Sequence, residues 1–177
     1  MRKISLFIAM SIDGFIAKND DNLDFLKIVE REGEDYGYHK FVADIDTIII
    51  GRKTYDYVKQ TIGLAHYQQS ESQVIVLSRT ARSNDGNIQF YNGDLPELIN
   101  GLKNKVGKNI YCDGGAEVIH ELLKHDFIDE MTISIIPILL GEGIRLFKNA
   151  IPEKSFTLIS SQAYPSGLVQ LYYRKTI

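Results

Sequence analysis

Two glycine-containing motifs have the pattern that offers backbone N–H groups to an anion. They are Ile48–Thr54, with the sequence IIIGRKT, and Ile110–Ala116, with the sequence IYCDGGA. In each, a run of β-branched or aromatic residues stops at glycine and leads into a segment of helical period. A strand delivers N–H groups to an anionic ligand at a helix N-terminus in this way. Two such corners in one small chain predict a dinucleotide ligand.

The glycines of both motifs would let the backbone approach a pyrophosphate. Gly51 permits close approach, and Thr54 adds a hydroxyl in the first helical turn. Gly114 and Gly115 remove the Cβ atoms that would keep a phosphate away from the helix dipole. An ordinary strand-to-helix turn is the alternative interpretation of each motif. Because the carboxylate of Asp113 would repel a pyrophosphate, we expect it to turn away or to cap the helix.

Length and composition fit a single globular domain over residues 1–177. The chain is 44% hydrophobic and 24% charged, so it can bury a sizeable core. A net charge of −3 and scattered basic residues disfavour nucleic acid as a partner. No apolar run approaches the length that spans a bilayer, and the amino-terminal residues lack the pattern of a signal peptide. We therefore expect a soluble, cytoplasmic protein.

No metal site is expected from the sequence. Cys112 is the only cysteine, which excludes an internal disulfide and a multi-cysteine zinc site. The four histidines show no ligand spacing; they are His39, His66, His120 and His125. His120 and His125 are five residues apart on a predicted helix, so their side chains point in different directions.

Apolar runs predict a largely parallel sheet with helices between its strands. Near-continuous apolar runs are typical of strands that are covered on both faces. The predicted strands of this type are Ile4–Met10, Asp46–Gly51, Gln73–Leu77 and Asn109–Cys112. Amphipathic helices are predicted after the cap candidate Asp94 and after Gly114–Gly115. Residues 23–44 should form two helical pieces, because Gly33 and Gly37 interrupt them.

The last third of the chain is predicted to form strands alone. These are Met131–Ile136, Ser155–Ala163 and Leu168–Arg174, and the last two are joined by the turn-forming sequence Tyr164–Gly167. They should add antiparallel strands at one end of the sheet. The segment Met131–Leu140 is more apolar than an exposed edge strand should be. We therefore expect a homodimer that buries part of it together with the C-terminal hairpin.

Five motifs, taken in order, cover nearly the whole chain. They are Ser11–Ala17 (SIDGFIA), Ile50–Tyr55 (IGRKTY), Leu77–Arg79 (LSR), Asp113–Ala116 (DGGA) and Pro137–Gly143 (PILLGEG). With these motifs the chain resembles the dihydrofolate reductase-like superfamily, and in particular the branch typified by the C-terminal reductase domain of bacterial riboflavin biosynthesis. The resemblance implies an α/β protein with a three-layer α/β/α fold and a mixed, mainly parallel central sheet. It also implies NADPH bound along the carboxyl ends of the strands.

The resemblance implies further residues at the cofactor. Arg52, Ser78 and Arg79 are candidates for the adenosine 2′-phosphate, since guanidinium groups bind phosphate through forked, charge-assisted hydrogen bonds. Solvated surface arginines are the alternative. The small residue Ala9 would allow close approach of the nicotinamide ring. Other residues in or beside the motifs are also expected at NADPH, the first two flanking the nicotinamide: Ile16, Ala17, Lys53, Leu77, Asp113, Ala116 and Glu117.

The substrate side is less well defined. Folate reductases bind the pterin ring with a carboxylic acid on the helix after the first loop, and this chain has no unambiguous match. Asp24 is nearest in place and is the candidate catalytic residue, with Phe25 as a possible stacking wall. A helix N-cap is an equal alternative for Asp24. Tyr36, His39 and Cys112 are further candidates for substrate contact.

The resulting prediction is an NADPH-dependent oxidoreductase that transfers hydride to a small heterocyclic substrate, pterin- or pyrimidine-like, or to a carbonyl substrate. Hydride transfer needs no protein nucleophile and no metal. One alternative is the riboflavin-pathway 5-amino-6-(5-phosphoribosylamino)uracil reductase, although the sequence lacks the basic cluster that a ribosyl-phosphate would require. Another is a non-catalytic NADPH-binding module.

Overall fold

A computed structural model describes residues 1–61, 63, 67 and 71–176. His66, one of the four histidines, lies outside the described residues. The strands are β1 (Ile4–Ser11), β2 (Phe15–Ala17), β3 (Ile45–Gly51), β4 (Gln73–Leu77), β5 (Ile88–Tyr91), β6 (Asn109–Gly114), β7 (Glu130–Ile136), β8 (Ile144–Arg145), β9 (Phe156–Ala163) and β10 (Val169–Lys175). The α-helices are α1 (Tyr38–Val42), α2 (Arg52–Thr61), α3 (Leu95–Lys103) and α4 (Ala116–Lys124), and a 3₁₀ helix spans Asp24–Val29. None of these helices is both long and apolar enough to cross a membrane.

Eight strands form one sheet in the order β5-β4-β3-β6-β1-β7-β10-β9. The strands from β5 to β7 pair in parallel, whereas β10 runs antiparallel to both β7 and β9. This confirms the predicted mainly parallel sheet with a C-terminal antiparallel hairpin. The short strands β2 and β8 form a separate antiparallel pair.

Strand β7 is not an edge strand, contrary to the expectation from its apolar sequence. It pairs with β1 on one side and with β10 on the other. The C-terminal hairpin therefore covers the edge that β7 would otherwise expose, and the apolar composition of β7 reflects burial inside the sheet. The edge of the sheet on this side is β9.

Helices cover both faces of the sheet and give the three-layer arrangement. Alternation along β1 and β3 sends residues such as Ile4 and Ile49 towards α3 and α4. Ile48 and Ile50 point to the opposite face, where aromatic residues of α1 and α2 pack. The predicted cap of α3 is confirmed, because the Asp94 carboxylate accepts a 2.8 Å hydrogen bond from the Glu97 N–H group in the first turn of the helix.

The region that precedes β3 is broken as its glycines predict. The 3₁₀ helix ends at Val29, and α1 begins only at Tyr38. Gly33 and Gly37 between them have φ angles of +77° and +81°, a conformation that suits glycine. The chain therefore forms an irregular segment here rather than a continuous helix, and this segment borders the largest cavity described below.

Candidate active site

The order of the strands puts the predicted cofactor residues in a row. Strands β4, β3, β6 and β1 are parallel neighbours, so their carboxyl ends meet at one edge of the sheet. Along that edge lie Leu77, Gly51, Gly114 and Ala9 in turn. Adjacent strands are separated by about 4.8 Å, so the row spans roughly 14 Å. Ligands of open α/β sheets bind outside such carboxyl ends.

The two glycine motifs pack directly against each other. A Cβ atom on Gly115 would lie 2.7 Å from Thr54 Oγ1, and one on Gly51 would lie 3.1 Å from a methyl group of Val118. The helix α4 begins after Gly115, which as a glycine has no side chain that could cap the first turn. The N–H groups of that turn, which have no partner within the helix, can therefore donate to an anion. The peptide bond that joins Gly114 to Gly115 is cis.

Asp113 turns away from these N–H groups, as its charge predicts. Its carboxylate accepts a 2.7 Å hydrogen bond from the Tyr111 hydroxyl and another from the Tyr67 hydroxyl. Burial, followed by the charge of Asp113, raises the pKa of both tyrosines. Both hydroxyls therefore stay protonated and donate to the carboxylate. Asp113 does not cap α4.

The predicted 2′-phosphate residues lie at the β3 and β4 end of the row. The Arg52 guanidinium pairs with the Asp56 carboxylate, and Arg82 Nη1 lies 3.5 Å from the same carboxylate. Arg79 is exposed, and the Ser78 hydroxyl donates to a backbone carbonyl two residues further on, at 2.8 Å. Arg82 is a basic residue that the sequence analysis did not single out, because it lies outside every motif.

The remaining predicted cofactor residues differ in exposure. Lys53 is exposed, whereas Leu77 is half-buried and Ala116 is buried. The Glu117 carboxylate pairs with the Lys148 ammonium group, which lowers the pKa of Glu117. Ile16 and Ala17 belong to strand β2 and lie beside β8.

The loop that follows β1 is tied to the loop that precedes β8. The Asp13 carboxylate accepts hydrogen bonds from the backbone N–H groups of Leu140 and Gly141, at 3.1 and 2.7 Å. The Arg145 guanidinium lies over the Phe15 ring, 4.6 Å from its centroid. These contacts fix the path of the chain beyond the carboxyl end of β1.

A cavity of about 680 Å³ opens beside the carboxyl ends of β1 and β7. Its lining combines an apolar floor with aromatic and charged walls: Phe7, Ile8, Ala9, Leu26, Val29, Glu30, Arg31, Glu32, Glu34, Asp35, Tyr36, Tyr38, Ser134, Ile136 and Leu168. Ala9 and Ser134 are direct partners on adjacent strands. Ser134 is 5% exposed, and its hydroxyl accepts a 3.1 Å hydrogen bond from Gln170 Nε2.

Of the residues predicted at the substrate, the structure brings Tyr36 to this cavity. Its hydroxyl donates to the Val29 carbonyl and lies 2.9 Å from the Ser166 hydroxyl, and its ring packs edge-on against Tyr164. Phe25 does not line the cavity. It is 3% exposed and packs behind the cavity wall, in a cluster with Val29 and Ile136.

Asp24 lies outside the cavity, and it is not the N-cap of the helix that begins there. It is the first residue of the 3₁₀ helix, and Leu23 occupies the N-cap position. The Asp24 side chain is 56% exposed and lies 2.5 Å from Lys27 Nζ. The hydrogen bond and charge of Lys27 lower the pKa of Asp24. The Asp24 side chain thus pairs with Lys27 of the same short helix and faces solvent.

His39 and Cys112 are also outside the cavity. The His39 ring is 87% exposed and pairs with Asp35. Cys112 is completely buried in the core on the side of α3 and α4, and burial raises the pKa of its thiol to about 12. Its position in β6 sends the side chain to the sheet face opposite Tyr111, so the expected substrate contact is not available.

Several cavity residues were missed by sequence analysis. Ser134 could have been found only from strand register, because its place beside Ala9 depends on β7 adding to β1. Tyr38 follows Gly37, where the pattern indicates only a helix start. The acidic residues between Glu30 and Asp35 read as a solvated surface segment. This segment becomes part of the cavity lining only in the folded structure.

A second, smaller cavity of about 310 Å³ lies at the opposite end of the sheet. Its lining includes Asp46 and Lys108, near the amino ends of β3 and β6. It is remote from the glycine motifs and from the carboxyl ends of the strands.

The order and direction of the strands give the chain a dihydrofolate reductase-like fold. The chain belongs to the RibD C-terminal domain family, whose model matches residues 2–170. It is 38% identical to the uncharacterized protein YwjB of Bacillus subtilis (strain 168), over 97% of each chain. A candidate riboflavin biosynthesis protein from Shewanella sp. PV-4 is similar in structure, with 32% identity, a TM-score of 0.87 and 99% coverage of both chains.

A dihydrofolate reductase from Enterococcus faecalis complexed with NADP(H) shares the fold. Its TM-score is 0.69 at 14% identity, over 99% of this chain and 97% of that chain. The resemblance expected from the five motifs is thereby confirmed. The family and the fold make this a reductase-like protein, for which a small-molecule substrate is expected.

Proposed function

We propose that the chain is an NADPH-dependent reductase that transfers hydride to a small heterocyclic or carbonyl substrate in the cavity beside β1 and β7. The observation that carries this proposal is the row of carboxyl ends from β4 to β1. It runs from the end of β4, near Arg52, Arg79 and Arg82, past the two glycine motifs to Ala9 in the cavity lining. An extended dinucleotide would follow the same line.

The residues along the row suit each part of NADPH. The uncapped first turn of α4 and the Cβ-free surfaces of Gly51 and Gly115 suit the pyrophosphate. Arg52, Arg79 and Arg82 would hold the 2′-phosphate, with Arg52 shared between Asp56 and the ligand. Ala9 leaves room for the nicotinamide ring. When bound, reduced nicotinamide supplies a hydride to an electrophilic carbon.

The chain's own residues would then bind and orient the substrate. Tyr36 and Tyr38 provide aromatic walls, and Ser134 provides a hydroxyl whose orientation Gln170 helps to fix. Burial raises the pKa of Tyr38 to about 12, so its hydroxyl is protonated at neutral pH. A substrate ring next to Ala9 would thus meet polar groups on the β7 side of the cavity.

The riboflavin-pathway alternative is less well supported. Its substrate carries a phosphate, which basic side chains ordinarily recognise. Among the described residues, the cavity lining has four carboxylate residues and one arginine. We also propose a homodimer, which would cover the exposed edge strand β9.

Cofactor binding and turnover separate the remaining possibilities. NADPH fluorescence titration of the purified chain should show saturable binding, and NADPH oxidation should accelerate with at least one member of a panel of heterocycles and ketones. Binding without turnover across the panel would favour the non-catalytic module. A chain that binds no NADPH would contradict both. Gly101→Ala is a matched control for changes at the corners, because nothing lies within 4 Å of a Cβ atom placed there.

A further inference from the structure

Three aromatic side chains, Phe7, Tyr36 and Tyr38, line the cavity. The rings of Phe7 and Tyr38 are in edge contact, with centroids 5.7 Å apart. The ring of Tyr36 is held by Tyr164 at a centroid distance of 4.8 Å. Aromatic faces attract cations through the ring quadrupole. A wall of fixed rings therefore favours a flat, positively charged ligand.

The charges that line the same cavity are almost all negative. In the described part of the lining, the acidic residues are Glu30, Glu32, Glu34 and Asp35, and the one arginine is Arg31. The Arg31 guanidinium is folded onto the carbonyl groups of its own turn, at 2.6 and 3.2 Å. Hydrogen bonds from the backbone N–H groups of His39 and Gly37 lower the pKa of Asp35 and keep it ionised. The field of this wall attracts cations and repels phosphate.

We propose that the substrate is an organic cation whose C=N bond accepts the hydride, such as an iminium ion or an N-alkylated azaheterocycle; this rests on the proposed function. The hydride adds to the carbon of the C=N bond, and the π electron pair of that bond becomes a lone pair on nitrogen. The substrate is reduced to a neutral amine as NADPH is oxidised to NADP⁺. No proton is taken from the protein.

This substrate class agrees with the placement of the acids. Asp24, the candidate acid of the sequence, faces solvent and pairs with Lys27. The acidic residues of the cavity lining form a negatively charged wall. An iminium ion already carries the positive charge that a general acid would otherwise have to create, so it requires no donor. Neutral imines and ketones would require one.

Three bicyclic probes of similar size test the charge preference without NADPH. They are the cation N-methyl-dihydroisoquinolinium, the neutral ketone tetralone and the anion tetralin carboxylate. Isothermal titration calorimetry at low ionic strength should show the tightest binding for the cation, weaker binding for the neutral ketone and the weakest binding for the anion. The cation should bind at least about tenfold more tightly than the anion, since charged clefts concentrate counter-ions to that extent. High salt should reduce the difference in affinity between the cation and the anion.

The variant Glu30→Gln/Glu32→Gln identifies the groups responsible. Both side chains are exposed at the cavity, so the fold should be preserved. Cation affinity should fall about threefold or more, whereas tetralone affinity should not change. The control Glu71→Gln/Glu153→Gln removes two exposed carboxylates outside this cavity and should leave all three affinities unchanged. Equal losses in both double variants would contradict the assignment.

Turnover completes the test. With NADPH, the dihydroisoquinolinium should be converted to N-methyl-tetrahydroisoquinoline, detected by mass spectrometry, faster than tetralone is reduced. Tighter binding of the anion, failure of all three probes to bind, or failure of a chain that binds both NADPH and the cation to reduce it would overturn the proposal. A separate titration with NADPH shows whether the chain binds the cofactor. A chain that binds NADPH and turns over tetralone but prefers the anion would retain the proposed function and lose the cation assignment.

Discussion

The backbone N–H group of Gly141 donates a 2.7 Å hydrogen bond to the carboxylate of Asp13, which lies on a different loop. The Ser11 hydroxyl donates to the same carboxylate at 2.5 Å, as does the Leu140 N–H group at 3.1 Å. Asp13 thus joins the loop after β1 to the loop before β8. Both loops lie next to the strand end at which nicotinamide is proposed to bind.

Replacing Asp13 by Ala should weaken NADPH binding, because the loop beyond Ala9 would lose its anchor. We expect the KM for NADPH to rise several-fold, together with faster amide hydrogen exchange at Gly141. Asp44→Asn, an exposed acid at the opposite end of the sheet, is the control. Faster exchange with an unchanged KM would show that the loop contact is structural only.

The Asp13 contact should persist in mild acid. The Ser11 hydrogen bond, followed in effect by those of the two N–H groups, lowers the pKa of Asp13 from 3.8 to about 2. A lowered folded-state pKa stabilises the fold above the unfolded value, and this contribution is lost as the pH falls from about 4 to 2. A carboxyl NMR titration of Asp13 with a midpoint near 4 would contradict the contact.

Gly115→Ala should disrupt the contact between the two glycine motifs. The added methyl group would lie 2.7 Å from Thr54 Oγ1, so the variant should lose about 1–3 kcal/mol in the free energy of unfolding and bind NADPH poorly. Adding Thr54→Ala removes the clashing atom and should restore most of the stability. Chemical denaturation of both variants, of Thr54→Ala and of the Gly101→Ala control measures this coupling. Additive effects would contradict it.

Asp24→Asn should leave turnover nearly unchanged. The side chain of Asp24 faces solvent and pairs with Lys27, so we do not expect it to supply the acid of a folate reductase. Dihydrofolate should also be a poor substrate, since the acidic cavity lining, which includes Glu30 and Glu32, would repel the carboxylates of its tail. Steady-state kinetics compare Asp24→Asn with Tyr36→Ala, which removes a cavity wall and should raise the substrate KM. A large loss of kcat in Asp24→Asn would restore its predicted catalytic role.

The exposed edge strand β9 should form the dimer contact. Leu158 and Ile159 are exposed on this strand, and an unpaired apolar edge promotes association. Light scattering at micromolar concentration should give twice the chain mass of 20.1 kDa. Leu158→Lys/Ile159→Lys should yield a monomer, whereas Val106→Lys, an exposed apolar residue on a distant loop, should not. A wild-type chain that is monomeric at this concentration would contradict the proposed dimer.

The sequence predicted the elements that depend on local patterns. The buried strands β1, β3, β4 and β6 have continuous apolar runs, and α3 has a cap at Asp94. Strands β2, β5 and β8 have two to four residues, too few for a period to be recognised. Their pairing depends on partners distant in sequence.

The cofactor half of the site was more predictable than the substrate half, for a physical reason. Glycine motifs act through backbone N–H groups, and their positions follow from a strand that ends at a helix. The cavity instead combines Ser134 on β7 with the irregular segment from Glu30 to Tyr38. Which side chains of that segment face inward depends on the conformations of Gly33 and Gly37. Local periodicity carries no information about this.

Arg79 should determine the preference for NADPH over NADH. If its guanidinium holds the 2′-phosphate, it interacts with a group that NADH lacks, so its contribution enters only the NADPH side of the comparison. Arg79→Ala should then weaken NADPH binding by about tenfold through loss of a charge-assisted contact. NADH binding should hardly change, and the salt dependence of NADPH binding should decrease. Fluorescence titration of both cofactors tests this, with Arg31→Ala at the substrate cavity as the control. Equal losses of affinity for the two cofactors would mean that Arg79 contacts the pyrophosphate or supports the fold. A wild-type chain that binds NADH as tightly as NADPH would contradict recognition of the 2′-phosphate altogether.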